Sequence, residues 1–277
     1  KITSVKAISD PSLDLRTPLK GPFDVIRDKT LKLENEALLL LKSAQLLPAA
    51  IVSKVDNGKN YATQHNLTYL QTELLRKIEL SSEEIADAIS AEIPTARAQK
   101  TQFHIFRPGI SGEEHYAMEI GKIDRDKPTL VRIHSACFTG DVLGSLKCDC
   151  GPQLHAATQM INDQGGGLLI YLNQEGRGIG LANKIRAYAL QDQGFDTVEA
   201  NHRLGFEDDE RDFQLGATIL EEMRIANIKL ITNNPSKISS MEKYNITVSE
   251  RIPLVVGQNE TNLSYLKTKV SKSGHLM

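Results

Sequence analysis

The run Leu168-Leu-Ile-Tyr-Leu172 constrains the fold more than any other stretch of the chain. It is short, continuously apolar and free of turn residues, as a strand buried on both faces must be. A Gly-rich loop, Glu175 to Gly180, follows it at once. A helical pattern then runs from about Leu181 to Gln191. Strand, glycine loop and helix in that order are the unit of an α/β domain. The same order recurs where Ile228 to Thr232 feeds Asn233-Asn234-Pro235. Asn234 is suited to cap a helix there and Pro235 to begin it, and the helix is expected through Met241. Further strands are expected at Gln102 to Phe106, His115 to Ile120, Leu130 to His134 and Ile246 to Val248.

The first ninety residues have a different texture. Residues 1 to about 30 are polar with scattered prolines and read as an irregular lead-in. From Leu31 a helix is expected, with Leu33, Ala37, Leu40, Ala44 and Leu47 on one face and Pro48 after it. Asn57 to Asn66 reads as a loop. A second helix is expected from Ser81, with Glu84 completing a capping box and Ile85, Ala88 and Ile89 as its apolar side. The organisation expected is a mainly helical accessory region, 1–92, and a mixed α/β (α+β) domain, 93–277.

The 33 Lys and Arg nearly balance the 35 Asp and Glu, so net charge suggests no nucleic-acid partner. The longest apolar run, around Ala37 to Leu41, is too short to span a membrane. The chain has only three cysteines, Cys137, Cys148 and Cys150, all within fourteen residues. An odd, clustered set fits a reducing cytoplasm better than a disulfide framework.

Three thiolates and one water complete a tetrahedral zinc site with an open position. Cys-x10-Cys-x-Cys is short enough for one loop to wrap an ion, and Gly140, Gly144 and Gly151 supply turns. Three small core residues is the competing reading. Lys147 and Asp149 beside the thiols are not a core pattern and favour the metal. The loop through Glu175, Gly176 and Arg177 suits either an anion or a simple tight turn. Lys237, in the first turn of a helix, is unfavourable there unless an anion is near, or else is merely solvated. Spacing alone makes Tyr188 an aromatic core anchor. Arg211, among the five carboxylates of Glu207 to Asp212, is either charge balance or a held guanidinium. His134 stands beside the thiol loop as a ligand or a structural histidine.

Together the stretches RIHSACFTGDVLGSLKCDCGPQL, YLNQEGRGIGLANKIRAYALQDQGFDTVEANHRLGF, DDERDF, TNNPSK and YLKTKVSKSGHL closely resemble GTP cyclohydrolase II, the enzyme that begins riboflavin synthesis. The resemblance runs from about Ile93 to the end. It implies one zinc per subunit on Cys137, Cys148 and Cys150, magnesium with the GTP phosphates, and a homodimer. It implies GTP contacts from Arg132, Ile133, His134, Ser135, Ala136, Gln153, Glu175, Gly176, Arg177, Thr197, Thr232 and Lys237. Asp209 would be the proton acceptor, Arg211 the nucleophile at the α-phosphate, and Tyr188 a helper in ring opening. The products implied are formate, pyrophosphate and 2,5-diamino-6-(5-phosphoribosylamino)pyrimidin-4(3H)-one.

The family usually carries Glu at the position of Ala136. The N-terminal region lacks the acidic and histidine motifs of the dihydroxybutanone phosphate synthase often fused there, which argues against a bifunctional enzyme. A GTP-binding paralogue acting as a sensor, or a ring-opening hydrolase of another nucleotide, is the alternative.

Overall fold

A computed structural model describes residues 2–26, 32–74, 85–108 and 113–276. One seven-stranded sheet organises it: β1 Ile85–Glu92, β2 Thr101–Pro108, β3 His115–Gly121, β4 Thr129–Ser135, β5 Gly166–Leu172, β6 Asn227–Ile231 and β7 Thr247–Ile252. Their spatial order is β1-β2-β3-β5-β4-β6-β7. The first three strands form an antiparallel meander, and β3 pairs antiparallel with β5. β4, β5, β6 and β7 are mutually parallel.

β4 leads to its neighbour β5 through α4 Phe138–Asp141 and α5 Cys150–Asp163. β5 leads across β4 to β6 through α6 Leu181–Gln191, α7 Thr197–Arg203 and α8 Gln214–Glu222. The connections therefore leave the β4 edge in opposite directions. Such a switch point opens a crevice at the carboxyl ends of parallel strands. α9 Pro235–Lys243 joins β6 to β7, and α10 Leu263–Ser273 follows β7.

The core lies on both faces of the parallel half. On one, Val131, Ile133, Leu168, Ile170 and Leu172 pack with Leu215, Ile219 and Leu220 of α8. On the other, Leu130, Leu169 and Ile231 pack with Ala157 and Ile161 of α5. Burying each large apolar side chain contributes about 1.5–3 kcal/mol. Period-two alternation in β4 therefore aims Arg132 and His134 at the α5 side, where the thiol loop lies.

All eight expected strands and helices of residues 101–252 form, though β7 runs on to Ile252. The N-terminal expectations need correction. Ile85, Ala88 and Ile89 are not a helix face. They belong to β1, which pairs with β2 from Ile85↔Pro108 to Glu92↔Gln102, with a bulge between Asp87 and Ile89. An edge strand buries little, here only Ile85, so no alternation betrays it and pairing overrides local pattern. Ser81 and Glu84 lie outside the described residues.

Asn57–Asn66 is not all loop: α3 Gly58–Gln64 forms there and buries Ala62. Its polar surface left no apolar stripe to read. The lead-in contains α1 Ile2–Ser9 and a 3-10 turn, Pro11–Leu13, capped by the Asp10 carboxylate. The expected helix after Leu31 is α2 Lys32–Ser43. It stops short of Ala44 and Leu47, because Gln45 turns left-handed at φ +54°.

Candidate active site

Cys137 leaves the end of β4 and opens α4, while Cys148 and Cys150 stand at the start of α5. The Asp141 carboxylate pins this loop. It accepts the Cys137 N–H at 3.0 Å and the Tyr171 hydroxyl at 2.9 Å, and contacts His134 Nε2 at 3.1 Å. His134 is thereby a structural partner of the loop, stacked on Tyr171 at 5.4 Å. The three sulfurs lie within 4.8 Å of one another and no disulfide joins them.

Two glycines make the convergence possible. A Cβ on Gly140 would sit 2.6 Å from the Cys148 sulfur and 3.0 Å from that of Cys137, and one on Gly151 would collide with the Gly140 carbonyl. Hydrogen bonds from Cys148 and Cys150 pull the Cys137 thiol far down, with Lys184 assisting. The same contacts push Cys148 and Cys150 up. One thiolate therefore forms at the expense of two thiols. A thiophilic divalent cation removes that conflict by letting all three ionise, so the donor set fits zinc.

The opposite wall is cationic. Lys237, placed by the Asn234 cap, is 6% exposed and donates to the Ile133 carbonyl at 2.7 Å. Burial, then the nearby Arg211 and Arg132, hold its amine well below the usual lysine range. Burial likewise pushes Arg132 down to about 10. Its guanidinium donates to Gln153 Oε1 at 2.5 Å and to the Ile231 carbonyl at 3.0 Å, leaving Nε buried without a hydrogen bond. Arg211 donates to Asp209 through Nε and Nη2 at 2.7 and 2.5 Å, and reaches Ser135 Oγ at 3.4 Å. Burial raises the Asp209 carboxyl, but Arg211 outweighs it and the net shift is downward. Buried cations crowded this closely are relieved by a bound polyanion.

Between the walls runs the glycine loop. Glu175 accepts the Phe138 N–H at 2.6 Å and the Lys184 ammonium at 2.8 Å, tying this loop to the thiols. Arg177 is left-handed at φ +64°, and its carbonyl accepts the Glu210 N–H at 3.0 Å. Gly178 lies against the Glu210 carbonyl, where a Cβ would come within 2.7 Å.

One cavity unites these features. Arg132, His134, Ser135, Ala136, Gln153, Glu175, Gly176, Arg177, Tyr188, Thr197, Arg211, Thr232, Lys237 and the three cysteines line it. Two expected site residues lie off its wall: Ile133 is in the core and offers only its carbonyl, and Asp209 stands behind Arg211. Tyr188, a core anchor by spacing, instead faces the cavity between Lys147 at 5.1 Å and Lys184 at 5.8 Å. Burial pushes its hydroxyl up to about 12.

Sequence reasoning singled out neither Lys184 nor the C-terminal trio Tyr265, Lys269 and His275, which also line the cavity. Lys184 carried a signal: it lies one helical turn before Tyr188 on the same face. Lys269 carried none. It crosses from α10 to Asp149, at 2.7 Å, whose other oxygen accepts from Gln153 at 2.5 Å.

Fold and site together define an α/β protein with its pocket at the sheet's switch point, thiols on one wall and buried cations on the other. The chain belongs to the GTP cyclohydrolase II family, whose sequence model matches residues 86–253. A curated relative, "Riboflavin biosynthesis protein RibBA" of Cytophaga hutchinsonii, is 45% identical over 225 residues, 81% of this chain and 55% of that protein. The protein of the same name from Bacillus subtilis is 54% identical over 169 residues, 61% of this chain and 42% of its own length. The chain thus spans about half the length of the curated relatives it matches. A solved structure of an A. baumannii protein, RibBX, described as a two-domain 3,4-dihydroxy-2-butanone 4-phosphate synthase, aligns with 16% identity at a TM-score of 0.35. That alignment covers 74% of this chain and 51% of the other, and a likeness so slight carries no argument. Among the described residues, no helix is long and apolar enough to cross a membrane.

Proposed function

We propose that this chain hydrolyses GTP as a zinc-dependent GTP cyclohydrolase II, opening the imidazole ring in the first step of riboflavin biosynthesis. The products are formate, pyrophosphate and 2,5-diamino-6-(5-phosphoribosylamino)pyrimidin-4(3H)-one. The enzyme works as a cytoplasmic homodimer, with magnesium accompanying the phosphates. One observation carries the reading: a thiol triad and a set of buried cations open into the same cavity.

Cys137, Cys148 and Cys150 would hold zinc, which supplies a Lewis acid that makes water nucleophilic near neutral pH. The chain's own groups do the rest. Arg132, Arg177 and Lys237 neutralise and orient the triphosphate, as preorganised charges do for phosphoryl chemistry. Gln153 holds the Arg132 fork from below. The Tyr188 hydroxyl, kept protonated by burial, donates a proton at the opening ring. Glu175, Gly176, Thr197 and Thr232 shape the nucleotide pocket around these groups. Ser135 and Ala136 form the wall between Arg211 and Cys137.

Asp209 accepts two hydrogen bonds from the Arg211 guanidinium and is the base within reach of it. Guanidinium groups ordinarily stay protonated, so charge stabilisation at the α-phosphate is the simpler role for Arg211 beside that of nucleophile.

The test is product analysis. Purified protein given GTP and magnesium releases one formate and one pyrophosphate per GTP consumed. Cys148→Ser loses both bound zinc and formate release. Wild-type protein that makes no formate, or a zinc-free Cys148→Ser protein with full turnover, overturns the assignment.

A further inference from the structure

The end of α2 and the segment that follows it grip the two loops that carry the nucleotide-facing groups. Lys42 Nζ lies 2.8 Å from Glu210 Oε1, and both side chains are largely withdrawn from water. The same Oε1 accepts the Glu207 N–H at 2.9 Å, and the Lys42 ammonium sits 5.4 Å over the Phe206 ring. Glu210 is the immediate neighbour of Arg211. Its backbone is already joined to the glycine loop through Arg177 and Gly178.

Three residues on, the left-handed Gln45 reverses the chain onto α6. Its carbonyl accepts from Asn183 Nδ2 at 3.0 Å, and Asn183 is wholly buried. Its side chain fills the space beside Gly180, where a Cβ would lie 2.7 Å from Gln45 Oε1. Leu47 packs into the cluster of Ile179, Leu190, Leu204 and Phe206. Pro48 closes on Gly205, where a Cβ would come within 2.9 Å of Pro48 Cγ. Two glycines thus leave room for the N-terminal segment rather than for their own turns alone.

We propose that residues 32–48 are a working part of the nucleotide site, with Lys42 and Gln45 as positioning residues for the Asp209–Arg211 loop and the glycine loop. This rests on the function proposed above. Residues 207–213 lie outside helix and strand, and five carboxylates crowd 207–212. A loop of like charges spreads unless a cation gathers it, and reacting groups on it are then misplaced. Lys42 supplies such a cation from outside, at Glu210, while Arg211 pairs with Asp209 and lines the cavity.

The decisive variants are Lys42→Met, which keeps the stem and removes the charge, and Lys42→Arg, which restores it. Asp10→Asn is the control, since Asp10 holds Arg186 on the outer side of α6 at 3.0 Å and touches neither loop. In the full chain, Lys42→Met lowers kcat for formate release about tenfold with little change in Tm or in zinc content. Lys42→Arg recovers most of it, and Asp10→Asn keeps wild-type kcat. Amide hydrogen exchange gives a reading independent of turnover: Lys42→Met speeds exchange at 175–180 and 207–213 and spares α5. If GTP is not a substrate of the wild type, the earlier assignment falls and exchange alone judges the brace. Unchanged exchange, or wild-type kcat in Lys42→Met, overturns it.

Discussion

His115 opens β3 and is 2% exposed. Its Nδ1 accepts the Asn173 N–H at 3.0 Å, which fixes the strand end just before the glycine loop. Burial pushes the imidazole down to about 4, so the folded chain holds it neutral while the unfolded chain protonates it near 6.5. The sign follows: its contribution is complete above pH 6.5 and is lost as pH falls towards 4, on the order of a few kcal/mol. Urea midpoints measured from pH 7 to pH 4.5 fall steeply for the wild type. They fall less for His115→Asn, whose Oδ1 can accept the same bond; parallel slopes would refute the assignment. At this scale the sequence was informative where chemistry is concentrated. Three thiols beside Lys147 and Asp149 announce a site, and Lys237 in a first helical turn hints at an anion. Lys269 was silent, because a lysine on a surface-patterned helix shows its partner only when Asp149 is beside it.

Among the elements, the junction of α4 and α5 is the most exacting. α4 has only one turn, and Gly140 lets the start of α5 close over it so that three sulfurs meet. Gly140→Ala forces a methyl group against two of those sulfurs. The variant therefore folds but is isolated with less than half the zinc of the wild type by metal analysis, whatever its turnover. Full metal content would mean the loop shifts at no cost. Helices and strands with one buried face were legible because periodicity records burial. β1 was not, since an edge strand with one buried residue leaves no period to read, and its Ile85–Ala88–Ile89 spacing imitates a helix. The polar α3 vanished for the same reason.

Over the whole molecule, charge is nearly balanced at −2, yet among the described residues the cavity wall carries seven Lys or Arg side chains and one carboxylate, Glu175. The field is local, focused at one end of the sheet, and salt screens it within about 8–10 Å. The GTP KM therefore rises about threefold or more between roughly 50 and 300 mM KCl while kcat changes little, as initial rates will show. A KM indifferent to salt would mean that these cations do not meet the phosphates. Composition concealed this, because acidic residues elsewhere cancel the basic ones in any total.

Lys42 and Lys269 stand 227 positions apart, yet both brace the same pocket, one through Glu210 and the other through Asp149. During translation, then, a ribosome must extrude the whole stretch from Lys42 to Lys269 before the pocket exists. Until that stretch has emerged, a nascent chain gains no help from a ligand of the pocket, since a ligand stabilises only the form that binds it.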